Sequence, residues 1–208
     1  MAGLSVSSVR KDAYIFNRID QGVNVGILTG LINTTLTGIN SRGVAVGIDN
    51  SGAVPTRAFV YQKGQISWLT PLSDGASTYA AAINKLNVVV GHSNLEPTNT
   101  YASQRAASWT SPDTAQNLGS AYGFRTYATA INSSNLVVGG ENAAWAHGIL
   151  FKDGAATDLR NLLTADQKAI WWPVGPAYAI NDQGLIAGAG ARRVADGKFV
   201  AYLLRPLP

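Results

Sequence analysis

A nine-residue phrase that occurs four times constrains the fold of this chain more than any other feature of its sequence. The phrase reads Ile-Asn-x-x-[Gly or Asn]-apolar-apolar-apolar-Gly, and its copies begin 44, 48 and 49 residues apart. Self-similarity at a period of about 20 to 50 residues is the signature of repeat architectures. The four copies occupy residues 39–47, 83–91, 131–139 and 180–188.

Each position of the phrase predicts one part of a β-hairpin. The Ile ends a buried strand, and the Asn opens a turn in which its side chain can bond the backbone two residues further on. The fifth position holds only Gly or Asn, residues that tolerate the positive φ needed after a type I hairpin turn. The apolar triplet then forms the second strand, and its closing Gly predicts a bulge or a close approach of another backbone.

A second apolar phrase follows each hairpin, and a weaker strand that closes on a Leu follows most of these. Together with the strand that ends at each Ile, a complete unit holds four short strands in 44 to 49 residues. That is the size and content of a propeller blade. Only residues 162–170 are expected to form a helical turn or two. The second phrase occurs at residues 13–16, 58–61, 106–109, 148–151 and 201–204.

We predict an all-β chain that forms a single β-propeller domain over residues 1–208. Five blades is the favoured count. A four-bladed ring closed by the N-terminal strands and an open stack completed by a second copy are the alternatives, because sheet edges must be paired or covered. The repeats lie near residues 37–69, 79–118, 127–159 and 177–205, and residues 1–30 form a partial blade with strands at Leu4–Val9, Ala13–Phe16 and Val23–Leu28.

The composition excludes several function classes. Charged residues make up 13% of the chain, against about 25% in an ordinary soluble domain. The absence of cysteine excludes disulfides, thiol catalysis, zinc–thiolate sites and iron–sulfur clusters. The net charge of +4 is scattered rather than clustered, so nucleic acid is not expected as a partner. No run of about 18 apolar residues predicts a membrane span.

The repeat also resembles a known family. The closest part is the tail, with Asp158-Leu159, Trp172, the phrase that ends at Gly188, and Ala201 to Pro206. These motifs resemble the HAF-repeat family of bacterial proteins expected outside the cell, and the likeness covers nearly the whole chain from residue 13. It implies a propeller-like repeat fold and little about activity. Residues 1–10 lack the regions of a signal peptide, so an extracellular or cell-surface location implies a removed leader, and a virion is the alternative.

The sequence offers few candidates for catalysis. It contains no phosphate-binding loop, dinucleotide motif, metalloprotease motif or nucleophile elbow. His92 and His147 stand at non-equivalent positions of the repeat, so we expect no metal site and no cofactor. The residues favoured for ligand contacts are aromatic or polar side chains in loops and outer strands: Trp171, Trp68, Asn94 and Tyr101. Trp171 lies in an insertion of the third repeat, whereas the adjacent Trp172 is expected to pack inside.

The sequence therefore favours a non-catalytic repeat protein that binds a ligand. A carbohydrate or cell-surface polysaccharide is the most natural ligand, and a partner protein is also possible. The alternative is a structural or decoration subunit of a phage particle or another assembly, with homo-oligomers as a consequence. A polysaccharide hydrolase or lyase that uses a pair of Asp or Glu carboxylates is the third class.

Overall fold

The chain folds into small antiparallel β-sheets that follow each other in sequence order, which confirms the prediction of an all-β protein. The computed structural model describes residues 2–6, 11–18, 21–25, 33–50, 55–97, 100–142, 146–192 and 199–206. Parts of two predicted strands, at residues 7–9 and 26–28, lie outside these ranges.

Five sheets are present within the described residues, three with four strands and two, at the ends of the chain, with three. Sheet 1 consists of β1 (Ala2–Val6), β2 (Lys11–Arg18) and β3 (Gln21–Asn24). Sheet 2 consists of β4 (Thr34–Ile39), β5 (Ala45–Asp49), β6 (Arg57–Gln62) and β7 (Gln65–Trp68). Sheet 3 consists of β8 (Thr78–Ile83), β9 (Val89–Asn94), β10 (Gln104–Trp109) and β11 (Ala115–Asn117). Sheet 4 consists of β12 (Arg125–Ile131), β13 (Val137–Asn142), β14 (Ala146–Lys152) and β15 (Ala155–Asp158), and sheet 5 of β16 (Ala177–Ile180), β17 (Ile186–Ala191) and β18 (Phe199–Leu204).

Short helices lie in the connections between strands. Among the elements that the structure describes, two 3-10 helices span Tyr101–Ser103 and Leu159–Leu162, and the α-helix α1 spans Ala165–Ile170, within the segment expected to be helical. Helix α1 begins with a capping box, because Thr164 and Gln167 each accept a hydrogen bond from the other's backbone N–H. No helix among the described residues is long and apolar enough to cross a membrane.

The turn of every repeat has the predicted geometry. The fifth residue of the nine-residue phrase lies in this turn and has a positive φ in all four copies. The values are 74° at Gly43, 67° at Asn87, 60° at Asn135 and 78° at Gly184. In each copy the side-chain oxygen of the first turn residue accepts the backbone N–H two residues further on, at 2.9 to 3.0 Å. The short-range pattern of Asn and Gly is therefore sufficient to fix these turns.

The glycine that closes each phrase sits opposite a bulge, as predicted. In sheets 2 to 5 the register of the first two strands shifts by one residue, for example between Ala80 and Ala82 in sheet 3. A Cβ atom on Gly91 would overlap the carbonyl oxygen of Tyr79, and one on Gly139 would overlap that of Tyr127. Only glycine allows the two backbones to approach this closely.

The asparagines of successive turns also link the sheets to one another. The side-chain nitrogen of Asn40 donates to the carbonyl oxygen of Asn84 at 3.0 Å, that of Asn84 donates to Asn132 at 3.0 Å, and that of Asn132 donates to Asn181 at 3.1 Å. We call this row of four residues the asparagine ladder. It places the first strands β4, β8, β12 and β16 side by side.

The apolar core is divided into four clusters, each lying between one sheet and the next. Tyr61, Trp109 and Phe151, which share one repeat position, are buried in these clusters as predicted. Among the described residues, sheets 5 and 1 share no comparable packing. The predicted blade number and the closure of a ring therefore remain predictions.

Candidate functional site

An open cleft between sheets 3 and 4 brings together two of the predicted site residues, Asn94 and Tyr101. It has a volume of about 390 Å³ and lies at the end of the sheets opposite the asparagine ladder. We call it the Tyr101 cleft. The residues Ser77, Tyr79, His92, Gln104, Arg125 and Tyr127 complete its lining.

Two other grooves are a consequence of the repeat. Grooves of about 370 and 220 Å³ lie between sheets 2 and 3 and between sheets 3 and 4, near the asparagine turns. Their linings occupy matching repeat positions, such as Val89 in one and Val137 in the other. They arise wherever one sheet stacks on the next. The Tyr101 cleft contains side chains that no other repeat supplies together, so it is the better candidate for a specific site.

Tyr101 projects from the 3-10 helix between β9 and β10, and 74% of its surface is exposed. The guanidinium carbon of Arg125 lies 3.5 Å from the centre of the Tyr101 ring, which is a close cation–π contact. Asn94 holds the helix in place, since its side-chain nitrogen donates to the carbonyl oxygen of Thr100 at 3.0 Å and to Oγ of Ser103 at 3.1 Å. Asn94 therefore positions Tyr101, and Tyr101 offers the free surface.

The opposite wall of the cleft is a stacked pair of rings. The rings of Tyr79 and His92 lie 4.4 Å apart, and the Tyr79 hydroxyl donates to Oγ1 of Thr56 at 3.3 Å. Burial, and secondly the charge of Arg125, lower the pKa of His92 to about 4. His92 is therefore neutral near pH 7. Burial also raises the pKa of Tyr127. Arg125 is consequently the charged side chain in the lining of the Tyr101 cleft.

Trp68 and Trp171 lie away from this cleft. Trp68 is half-buried on β7, where its ring meets Phe59 edge-on and the guanidinium carbon of Arg57 lies 3.9 Å above it. Trp171 packs against the cluster between sheets 4 and 5, with its ring edge-on to Tyr202 at 6.0 Å. Of the adjacent pair it is Trp172 that is 42% exposed, the reverse of the expectation from sequence. Trp171 forms an isolated antiparallel bridge with Arg192, and its side chain packs on the inner side of this segment.

Two buried carboxylates form a second polar cluster beside the cleft. Glu141 on β13 accepts hydrogen bonds from the backbone N–H groups of residues 121, 122 and 124 at 2.8 to 3.0 Å, and from the Ser120 hydroxyl. Asp158 contacts the Tyr122 hydroxyl at 2.6 Å, Nδ1 of His147 at 2.8 Å and the backbone N–H of Arg160 at 2.7 Å. Burial and then Asp158 raise the pKa of Tyr122 to about 12.

These carboxylates hold a loop rather than face a substrate. A glycosidase needs two carboxyl groups on either side of an open position, one of them free to donate a proton. Here the carboxylates of Glu141 and Asp158 accept hydrogen bonds from donors within the protein. These bonds fix the loop between sheets 3 and 4. Within the described ranges, no group of three or more His, Asp or Glu side chains could hold a metal ion.

Sequence reasoning did not single out Arg125, Tyr79, Tyr127 or Gln104 as site residues. One signal was present, because Tyr79 and Tyr127 both stand four residues before the Ile of a repeat phrase. The same position is Thr35 in the first repeat and Pro176 in the last. An aromatic residue at this position in two neighbouring repeats is therefore a sequence signal for the cleft between sheets 3 and 4.

Comparison with known proteins identifies no relative of this chain. No family model, no curated protein and no solved structure matches this chain. The likeness to the HAF-repeat family therefore stays a prediction from its motifs, and any function must be argued from the geometry of the chain itself.

Proposed function

We propose that this chain is a non-catalytic, propeller-type repeat protein that binds a carbohydrate in the Tyr101 cleft. The five sheets are its blades, and the first strands joined by the asparagine ladder lie nearest the axis, as the inner strands of propeller blades do. A site of this kind suits a protein outside the cell or on its surface.

The observation that carries the proposal is the pairing of exposed aromatic surface with polar donors in one open cleft. Binding sites for small ligands combine apolar or aromatic walls with a few polar groups that fix orientation. Tyr101 and the stacked pair of Tyr79 and His92 supply the walls. Arg125 supplies donors that can reach sugar hydroxyl groups, whereas the buried Gln104 side chain donates to the carbonyl oxygen of Thr126.

A glycan array probed with the labelled protein tests this function, followed by titration calorimetry on any saccharide that binds. We expect Tyr101→Ala to weaken binding roughly tenfold, or about 1.4 kcal/mol, since the variant removes an aromatic wall of the cleft. Because Tyr101 is largely exposed, this variant should fold. The matched control is Trp172→Ala, another exposed aromatic residue outside the cleft. Equal losses in both variants, or no binding across the array, would reject the proposal.

The second candidate function, a subunit of an assembly, is favoured by the first and last sheets, which do not pack on each other within the described residues. Ala187 and Leu203 on sheet 5 occupy the repeat positions of Val46 and Val60 on sheet 2, which pack against sheet 3. No described sheet packs on this face of sheet 5, and 60% of the Leu203 side chain is exposed. Phe199 on the same strand is 63% exposed.

The first sheet carries the complementary face. Tyr14 and Phe16 occupy the repeat positions of Phe59 and Tyr61, which are buried against sheet 1. Sheet 5 of one copy therefore fits sheet 1 of the next copy, in the same way that neighbouring sheets fit within the chain. A head-to-tail contact of this kind gives rings or open filaments, which suits a particle such as a virion.

Mass photometry over a range of concentrations tests the assembly. We expect oligomers that Leu203→Asp dissociates, whereas Leu162→Asp, a charge placed on another exposed leucine, leaves them intact. A monomer at every concentration would reject head-to-tail assembly and favour closure of the ring within one chain.

A further inference from the structure

Within the described part of the chain, the charged group in the Tyr101 cleft has no partner of opposite charge. The structure pairs the guanidinium of Arg125 with no carboxylate and no hydrogen-bond acceptor among the described residues, and its Nε atom is buried without a partner. A buried donor that lacks an acceptor costs free energy, and each such group in a folded protein calls for an explanation.

Two other arginines that stack on aromatic rings have partners within the protein. Arg57, which also stacks on an aromatic ring, lies 3.7 Å from the carboxylate of Asp49. Arg160 stacks over Trp172 and donates to the carbonyl oxygens of Trp171 and Lys168. Stacking on a ring is thus compatible with ordinary partners, and the buried, unpaired Nε of Arg125 distinguishes it from these two arginines.

We propose that the saccharide bound in the Tyr101 cleft carries a carboxylate, as in an oligosaccharide of uronic acids, and that Arg125 pairs with that carboxylate. The inference rests on the proposed carbohydrate function and names the class of sugar. The planar guanidinium matches a planar carboxylate with two parallel hydrogen bonds. Its stacking on Tyr101 fixes the plane in which the carboxylate must approach.

The electrostatics of the cleft support an acidic ligand. The described residues of the lining include no Asp or Glu, and His92 is neutral at pH 7. A second arginine, Arg105, stands at the rim and donates to the carbonyl oxygens of Ala102 and Gln104, so its positive charge lies close to the same opening. An entering carboxylate therefore meets positive charge and no carboxylate repulsion from the lining.

Titration calorimetry with a short oligogalacturonate and with its methyl ester tests the inference, because the ester removes the charge and keeps the sugar. We expect the acid to bind roughly tenfold more tightly than the ester, in line with the strength of a charge-assisted bidentate pair. Arg125→Gln should abolish this preference, and Arg125→Lys should restore part of it. Arg57→Gln, which removes another ring-stacked arginine, should leave it unchanged.

The outcomes separate this inference from the proposed function. If acid and ester bind equally and Tyr101→Ala weakens both, the carbohydrate function stands and the role of Arg125 is wrong. A sulfated oligosaccharide that binds more tightly than the uronate would overturn the choice of carboxylate. If neither acid nor ester binds, the inference also fails, and the glycan array alone decides whether the cleft binds neutral sugars.

Discussion

Removing one asparagine side chain from the ladder should lower the free energy of unfolding more at Asn84, between two sheets, than at Asn181, the last residue of the ladder. The Asn84 side chain makes four hydrogen bonds. Its oxygen accepts the N–H groups of Leu86 and Val88 at 2.9 and 3.0 Å, and its nitrogen donates to Asn132 and Asn135 at 3.0 and 2.8 Å. Asn181, in the last of the described sheets, makes the two turn bonds, and its side-chain nitrogen donates to none of the described residues.

The difference in cost follows from these contacts. A hydrogen bond within a protein contributes about 1 kcal/mol net, and a buried partner left without one costs about 1 to 3 kcal/mol. Asn84 is buried, so Asn84→Ala should lower the free energy of unfolding by about 4 kcal/mol. Asn181 is exposed and water can replace its bonds, so Asn181→Ala should cost about 1 kcal/mol. For a chain of this size the gap corresponds to about 6 to 12 °C in Tm.

Substituting Asp for Asn distinguishes the hydrogen bonds within a turn from the hydrogen bonds between neighbouring turns. Asn84→Asp keeps the acceptor oxygen for the turn, removes the donor and places a negative charge against two oxygen atoms of the next turn. We expect it to cost at least about 2 kcal/mol in urea unfolding at pH 7, whereas Asn181→Asp should be nearly neutral. Equal costs at residues 84 and 181 for both substitutions would show that the contacts between turns contribute nothing to stability.

Three further perturbations probe the repeat and its loops. Gly91→Ala should lower the free energy of unfolding by more than about 3 kcal/mol, because its Cβ meets the Tyr79 carbonyl, while Gly64→Ala at an open turn should cost only about 1 kcal/mol, both measured by urea titration. The folded pKa of His92, about 4, lies below its unfolded value of about 6.5, so stability should fall by on the order of 3 kcal/mol as the pH drops from 6.5 to 4. His92→Gln should remove that part of the pH dependence in unfolding measured at pH 4.5 and 7. Glu141→Gln replaces one carboxylate oxygen with an amide nitrogen, a donor that faces backbone N–H groups. Because this weakens the hold on the loop at residues 119–124, limited proteolysis should cleave that loop sooner than in the parent protein.

The turns and strands could be predicted from sequence because their causes are local. Asn at the second position of the phrase and Gly or Asn at its fifth position fix the turn of the hairpin. The structure has that geometry in all four copies. The nitrogen of the same Asn was not predicted to reach the next turn, because that bond joins residues 44 to 49 positions apart. Its length depends on how closely the sheets stack, which the phrase does not encode.

The candidate site was predictable only in part, for the same physical reason. Asn94 and Tyr101 were singled out because the sequence predicts a long polar loop there; in the structure Asn94 ends β9, and both residues line the cleft. Arg125 belongs to a different sheet and meets Tyr101 only through packing. The error over Trp171 and Trp172 has a simpler origin, since neighbouring residues in an extended segment point to opposite sides and one residue of register exchanges them.

One position of the repeat shows how the chain combines uniform stability with a site that occurs once. Two residues after the phrase glycine, Ser93 accepts the N–H of Leu72, and Glu141 at the equivalent position accepts three N–H groups of the loop that leads into sheet 4. Both side chains anchor the loop that enters their own sheet, yet loop and anchor differ between repeats. The opposite end is held by uncharged asparagines, which avoid the desolvation cost that buried charges would carry. Because that end already joins the sheets, the loops at the other end can diverge, and the Tyr101 cleft lies among them.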